Sequence, residues 1–207
     1  MKAEEVESFS RCISVGGVAL FPSDTVYGLA TEPDSEGGVS RLYALKGRPP
    51  DRPAAVMFFE LGLALESLPE LAERTRSAVA MLLPGPVTVL LPNPRRRYPL
   101  ACGPQPERLG LRVPALDGPL APLRAARWPV LQSSANRSGG AESRRMGDVD
   151  ASIRSGVDLL IDGGELPGVA STVVDLSRFE QSGEHKVVRE GALDAAAVAA
   201  ALEGLVP

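Results

Sequence analysis

The sequence predicts one α/β domain built on a mixed sheet, and three observations lead there. Short apolar runs with the length of strands alternate with amphipathic stretches of helical period. Several of those runs are apolar throughout, as strands covered on both faces are. The 21 glycines and 19 prolines fall mostly where strands end, so irregular loops collect at the sheet edges and can line a concave site. With 207 residues, 44% hydrophobic and 23% charged, the chain can bury one substantial core, and intrinsic disorder is excluded. The expectation is a single domain over residues 1–207, with strands of both orientations and flanking helices.

Taken in order, Gly17–Phe21 is an apolar run delivered into a loop at Pro22, a buried strand. Val39, Leu42, Tyr43 and Leu45 predict a short helix that stops at Gly47 and Pro49. Ala54–Phe59 reads as a second strand. Leu71, Ala72, Thr75, Ala78, Val79 and Leu82 recur at three-to-four spacing, so 69–83 is an amphipathic helix closed by Pro84-Gly85-Pro86. Further strands are expected at 87–91, 109–113, 130–132, 159–162, 171–176 and 186–189. Helices are expected near 120–126, 148–154 and 194–202.

Much chemistry is excluded by counting. His185 is the single histidine and sits in a polar turn, so a histidine zinc site or a Ser-His-Asp triad has too few parts. Cys12 and Cys102 stand far apart, outside any metal-finger spacing. No apolar run approaches the length of a membrane helix, and residues 1–11 have no apolar signal core; a cytoplasmic protein is expected. The net charge of −4 disfavours a surface that wraps bare nucleic acid. Arg95-Arg96-Arg97 and Arg144-Arg145 read as solvated loops.

The candidate chemistry lies in strand-end loops. Lys46 and Arg48, two apart on a turn fixed by Gly47 and Pro49, can place two cations on one polyphosphate; from the pair alone a solvated basic turn is the favoured reading. Ser133-Ser134-Ala135-Asn136 can cradle phosphate or ribose oxygens, or be an ordinary turn. The glycine-rich stretch from Gly163 lacks a Lys-Ser/Thr ending and runs into a strand, so it is not a Walker loop, and no GxGxxG occurs. The hydroxyls of Ser171 and Thr172, at its end, are candidates for small-molecule contacts. Arg112, flanked by apolar residues, needs an anionic partner, which can be a structural or a substrate carboxylate.

In identity and order these segments resemble the YrdC/TsaC family of threonylcarbamoyl-adenylate synthases. The resemblance rests on Phe21-Pro22-Ser23-Asp24-Thr25-Val26-Tyr27-Gly28-Leu29, Lys46-Gly47-Arg48-Pro49, Pro84-Gly85-Pro86-Val87-Thr88 and Leu111-Arg112-Val113-Pro114. Ser134-Ala135-Asn136-Arg137-Ser138-Gly139, Ser171-Thr172-Val173-Val174-Asp175 and Arg189-Glu190-Gly191 complete it. The motif-bearing core is about 11–193. The resemblance implies a twisted sheet around a large basic hollow. It implies adenylyl transfer from ATP to the carbamate of L-threonine and bicarbonate, with Mg²⁺ assistance. The product would go to a threonylcarbamoyl transferase acting on tRNA. By resemblance Lys46, Arg48, Ser134 and Asn136 carry the catalysis, and Lys46, Arg48, Arg52, Ser134 and Arg189 hold the nucleotide. Thr25, Tyr27, Arg112, Ser171 and Thr172 hold threonine, with Arg112 on its carboxylate; no residue is assigned to a metal.

Two departures matter. Ser23 stands where Thr is usual, and Met57 stands where some members have a His, so strictness for threonine and another carbamoyl or acyl adenylation stay open. Because the chain ends soon after the synthase-like region, the extra C-terminal domain of longer members is not expected. The alternative reading is a non-catalytic RNA-binding or ribosome-assembly module of the same fold, and a weak RNA contact is compatible with either.

Overall fold

The computed structural model describes residues 1–205. Helix α1 (Ala3–Ser14) leads into strands β1 (Ala19–Pro22) and β2 (Tyr27–Thr31), then α2 (Glu36–Lys46), β3 (Ala55–Met57), α3 (Leu61–Ser67) and α4 (Glu73–Leu82). β4 (Val87–Pro92), the short α5 (Pro99–Cys102) and β5 (Arg108–Arg112) follow. A 3₁₀ segment over Gly118–Ala125 precedes β6 (Val130–Ser134). The chain continues through α6 (Ala151–Gly156), β7 (Leu159–Leu160), β8 (Thr172–Asp175), α7 (Phe179–Ser182), β9 (Lys186–Arg189) and α8 (Ala195–Leu202).

The nine strands form one sheet in the order β7-β1-β2-β6-β3-β5-β4-β8-β9. Three pairs are parallel (β1/β7, β3/β5, β4/β8) and the other five antiparallel, so the expected mixed sheet is present. Leu29, Leu131, Val56, Leu111, Val89 and Val174 share one face and are all fully buried, the product of period-2 alternation against a packed layer. The opposite face differs across the central strands. Gln132, Ala55, Gly110 and Leu90 stand in register across β6, β3, β5 and β4, and this row lies under open space. Small residues in the row, Ala55 and Gly110, lower the floor.

Several elements differ from the sequence reading. The polar motif after β1 is the turn of a hairpin whose second strand, β2, begins at Tyr27; the motif's turn residues hide that strand. The N-terminal segment, weighed for targeting alone, is an amphipathic helix that buries Val6, Phe9 and Ile13. Phe9 meets Phe21 and Phe59 at ring distances of 5.2 and 5.5 Å, which ties α1 to the core. The segment expected to be helical at 120–126 is a 3₁₀ run, because Pro122, inside it, removes an amide donor that an α-helix needs. Among the described residues no helix is long and apolar enough to cross a membrane.

Candidate active site

The loops at the strand ends close over the floor row to make a cavity of about 380 Å³. Arg48, Arg108, Arg112 and Arg189 line it, and Glu142 is its carboxylate among the described residues. An acidic chain therefore concentrates positive charge at one interior place. Such a field, in a low-dielectric hollow, attracts a compact polyanion.

The β1–β2 turn builds one wall. Ser23 Oγ donates to the Val26 carbonyl (2.7 Å), which fixes the turn and presents Asp24 and Thr25 inward. Arg112, at the end of β5, donates through Nη2 to Asp24 Oδ1 and to Thr25 Oγ1 (2.7 Å). Asp24 Oδ2 also accepts from the Ala115 amide (2.9 Å). The partner that Arg112 requires is thus a structural carboxylate. Its Nη1, shielded from solvent, has no hydrogen-bond partner among the described residues, so the two N–H donors of this nitrogen are left over. Burial pushes the Asp24 carboxyl up, and the guanidinium offsets only part of this.

The far wall carries hydroxyls. Ser171 Oγ and Thr88 Oγ1 lie 2.9 Å apart, and Arg189 Nη2 donates to the Ser171 carbonyl at 2.7 Å and reaches its Oγ at 3.3 Å. Thr25, Arg112, Ser171 and Arg189 are therefore brought together. Thr172, next in the chain, points the other way on β8. Its hydroxyl, fully buried, donates to the Leu193 carbonyl and accepts from the Leu193 amide (3.0 Å). Tyr27 is likewise turned into the core. Its hydroxyl stands 2.7 Å from Asp162 Oδ1 and accepts from the Gly163 amide (2.9 Å). Burial, seconded by Asp162, pushes the phenol up to about 12. These contacts make Tyr27 and Thr172 braces of the neighbouring loops. Tyr27→Phe keeps the ring and is expected to lower stability by about 1 kcal/mol in chemical denaturation, with anion affinity unchanged.

Lys46 and Arg48 separate at the end of α2. Gly47 adopts φ +59°, a left-handed cap that ends the helix and turns the next residue away. Lys46 goes inward, 2% exposed, and its Nζ donates to the Ser134 carbonyl, the Asn136 carbonyl (2.8 Å) and Asn136 Oδ1 (3.2 Å). All three ammonium donors have acceptors on the Ser-Asn loop. Burial, with Arg48 adding repulsion, lowers its pKa to about 8. Ser134 Oγ donates to Asn136 Oδ1 (2.6 Å), and Asn136 Nδ2 to the Gly140 carbonyl (2.6 Å), so the loop is held from within as well. Arg48 instead faces the cavity, stacked on the Tyr43 ring at 5.7 Å and bonded to the Pro53 carbonyl. Arg52 is exposed and lies outside the cavity lining.

Arg108, Gln132 and Glu142 belong to the lining without having been singled out from sequence. Arg108 was findable: it shares the face of β5 with Gly110 and Arg112 at two-residue spacing. Gln132 lies on β6 at the floor row, and Glu142 carries no motif. The basic runs behave as solvated loops: Arg97 pairs with Glu70 (2.8 Å), and Arg144 and Arg145 both pair with Glu165 (2.5 Å each). Met57 is fully buried beside Arg112 in the sheet register.

The fold and this cavity define an α/β protein whose sheet carries an interior hollow lined by four arginines. The chain belongs to the Sua5/YciO/YrdC family, whose model, described as telomere recombination, matches residues 11–191. A threonylcarbamoyl-AMP synthase of Pyrococcus abyssi is 32% identical over 171 residues, 81% of this chain and 49% of that protein. One of Chromohalobacter salexigens is 33% identical over 186 residues, 88% of this chain and 96% of that protein. The chain thus spans about half the length of the first relative and nearly all of the second. The crystal structure of P. abyssi Sua5 complexed with L-threonine superposes with a TM-score of 0.80 at 27% identity, over 100% of this chain and 59% of that one.

Proposed function

We propose that this chain is a threonylcarbamoyl-adenylate synthase, joining L-threonine, bicarbonate and ATP with release of pyrophosphate. The observation that carries the reading is the convergence of Arg48, Arg108, Arg112 and Arg189 on one cavity of a chain whose net charge is −4. The relatives named for this reaction, and the threonine-bound neighbour, support it.

Threonine's amine and bicarbonate condense to a carbamate with loss of water; a carbamate oxygen attacks the α-phosphorus of ATP and pyrophosphate leaves. No covalent nucleophile on the protein is needed, so positioning and charge neutralisation supply the acceleration. Arg48 and Arg189, with Arg108, are suited to the triphosphate. The unmatched Nη1 of Arg112 suits the threonine carboxylate, beside the hydroxyls of Thr25 and Ser171. Lys46 acts as a positioning residue for Ser134 and Asn136; a direct phosphate contact would require its ammonium to release one loop acceptor. A divalent cation would add charge neutralisation on the phosphates. Among the described residues no cluster of three or more His, Cys, Asp or Glu holds a metal alone, so such an ion would share its ligands with the nucleotide, as Mg²⁺ commonly does. The reading places the chain in the cytoplasm, handing its product to a transferase that modifies tRNA. Arg48, Arg108, Arg112 and Arg189 turn into the cavity, and Arg97, Arg144 and Arg145 pair with carboxylates, so these residues offer the RNA-module alternative no continuous basic surface.

Pyrophosphate release is expected to require both threonine and bicarbonate. ATP turnover indifferent to threonine, or none, would overturn the reading. Replacing threonine by serine in the same assay measures strictness with Met57 in place.

A further inference from the structure

Glu142 is an anomaly in a site collected for an anion. A carboxylate there repels the triphosphate, and its Oε2 is shielded from solvent with no hydrogen-bond partner among the described residues. Leaving a buried carboxylate oxygen unmatched is unfavourable. Among the described residues none of the four lining arginines pairs with it: Arg112 pairs with Asp24 and Arg108 with Asp175 (3.1 Å). The Lys46 ammonium is close enough to be felt electrostatically, but its three donors go to the Ser134 and Asn136 oxygens.

The placement is not accidental slack. Glu142 sits in the loop after β6, and that loop is pinned on both sides of it. Asn136 Nδ2 holds the Gly140 carbonyl on one side. On the other, the Tyr27 amide donates to the Ser143 carbonyl (3.0 Å) and Ser143 Oγ to the Ala135 carbonyl (3.3 Å). A carboxylate held ready beside Ser134 and Arg48, with an unsatisfied oxygen, fits a partner that arrives with the nucleotide. A cation that travels with the nucleotide answers both the unsatisfied oxygen and the negative charge, where a neutral donor would answer only the first. Mg²⁺ characteristically takes one or two protein carboxylates, phosphate oxygens and waters.

We propose that Glu142 is the protein's carboxylate ligand for the divalent cation that accompanies ATP. The inference deepens the synthase reading and rests on it. Bound in this way, the cation turns Glu142 from a repulsive group into an attractive one, so that metal-bound ATP is preferred to free ATP.

The sign of the effect makes this testable. ATP binding to wild type and to Glu142→Gln is titrated calorimetrically, with Mg²⁺ and with EDTA. Glu142→Gln is expected to weaken metal-bound ATP by at least about tenfold, the scale of one charge-assisted contact. Free ATP should bind it as well as wild type or better, because a like charge has gone. If Glu142 is only a countercharge to the arginines, the variant binds both forms more tightly by the same factor, and the proposal is overturned. Should the variant fail to fold, Mn²⁺ with ATP added to the wild-type protein should broaden the Glu142 resonances at substoichiometric metal, and intact resonances overturn it. Absence of any ATP binding by folded wild type would refute the parent reading and this one together. Binding of ATP with no metal preference would refute this one alone.

Discussion

Arg112→Ala is expected to lower stability by about 3–5 kcal/mol, because it removes one partner of a buried ion pair and strands the other. Asp24 would keep only the Ala115 amide, and Thr25 Oγ1 would lose its guanidinium donor. Asp24 is already raised by burial with the arginine present, so its folded-state pKa rises further without it. The sign follows from linkage: a carboxyl raised on folding contributes most below its unfolded pKa and loses that contribution as pH rises through the folded value. The variant's deficit should therefore shrink towards acid pH and be full at neutral pH. Urea denaturation across pH measures it. A second substitution, Asp24→Asn, should recover part of the loss. Under the proposed function it should not restore the threonine affinity that Arg112→Ala also loses, since the cation proposed for the substrate carboxylate is still missing. A deficit of the same size at every pH would mean that Asp24 is not the stranded group.

Which features could be read from the chain itself follows a physical division. Buried strands announce themselves, since an apolar run needs no partner to be recognised: β1, β4, β5 and β6 fall within two residues of their expected ends. β2 was hidden because Tyr27 and Gly28 close a turn motif and also open a strand. Loop segments that converge could be named, but the direction of each side chain within them could not. Thr172 and Ser171 are neighbours on one motif, yet strand alternation sends one to the cavity and the other to Leu193. Lys46 and Arg48 part in the same way at a left-handed glycine. Glu142 was invisible because its interest lies in what it fails to touch.

Lys46 provides the other large effect, and its two consequences oppose each other. Lys46→Met keeps the aliphatic stem packed but leaves the Ser134 carbonyl and both Asn136 oxygens without their ammonium. Loss of these charge-assisted bonds frees the Ser-Asn loop; under the proposed function this loop aligns the nucleotide, and adenylate formation should slow by at least about tenfold. Stability should change much less, because the cost of burying a cation disappears with the charge. The pH dependence separates the two terms. In wild type the folded-state pKa, about 8, lies below the ordinary lysine value. The folded chain therefore holds fewer protons than the unfolded one between about 8 and 10.5, and this residue's contribution to stability rises with pH across that window. Catalysis should move the opposite way, falling as the ammonium loses its proton and the loop loses a donor. Lys46→Met should abolish both trends, giving a slow rate flat through pH 8. An alkaline limb that persists unchanged in Lys46→Met would assign the titration to another group and remove the argument that a buried lysine holds the Ser-Asn loop for phosphate.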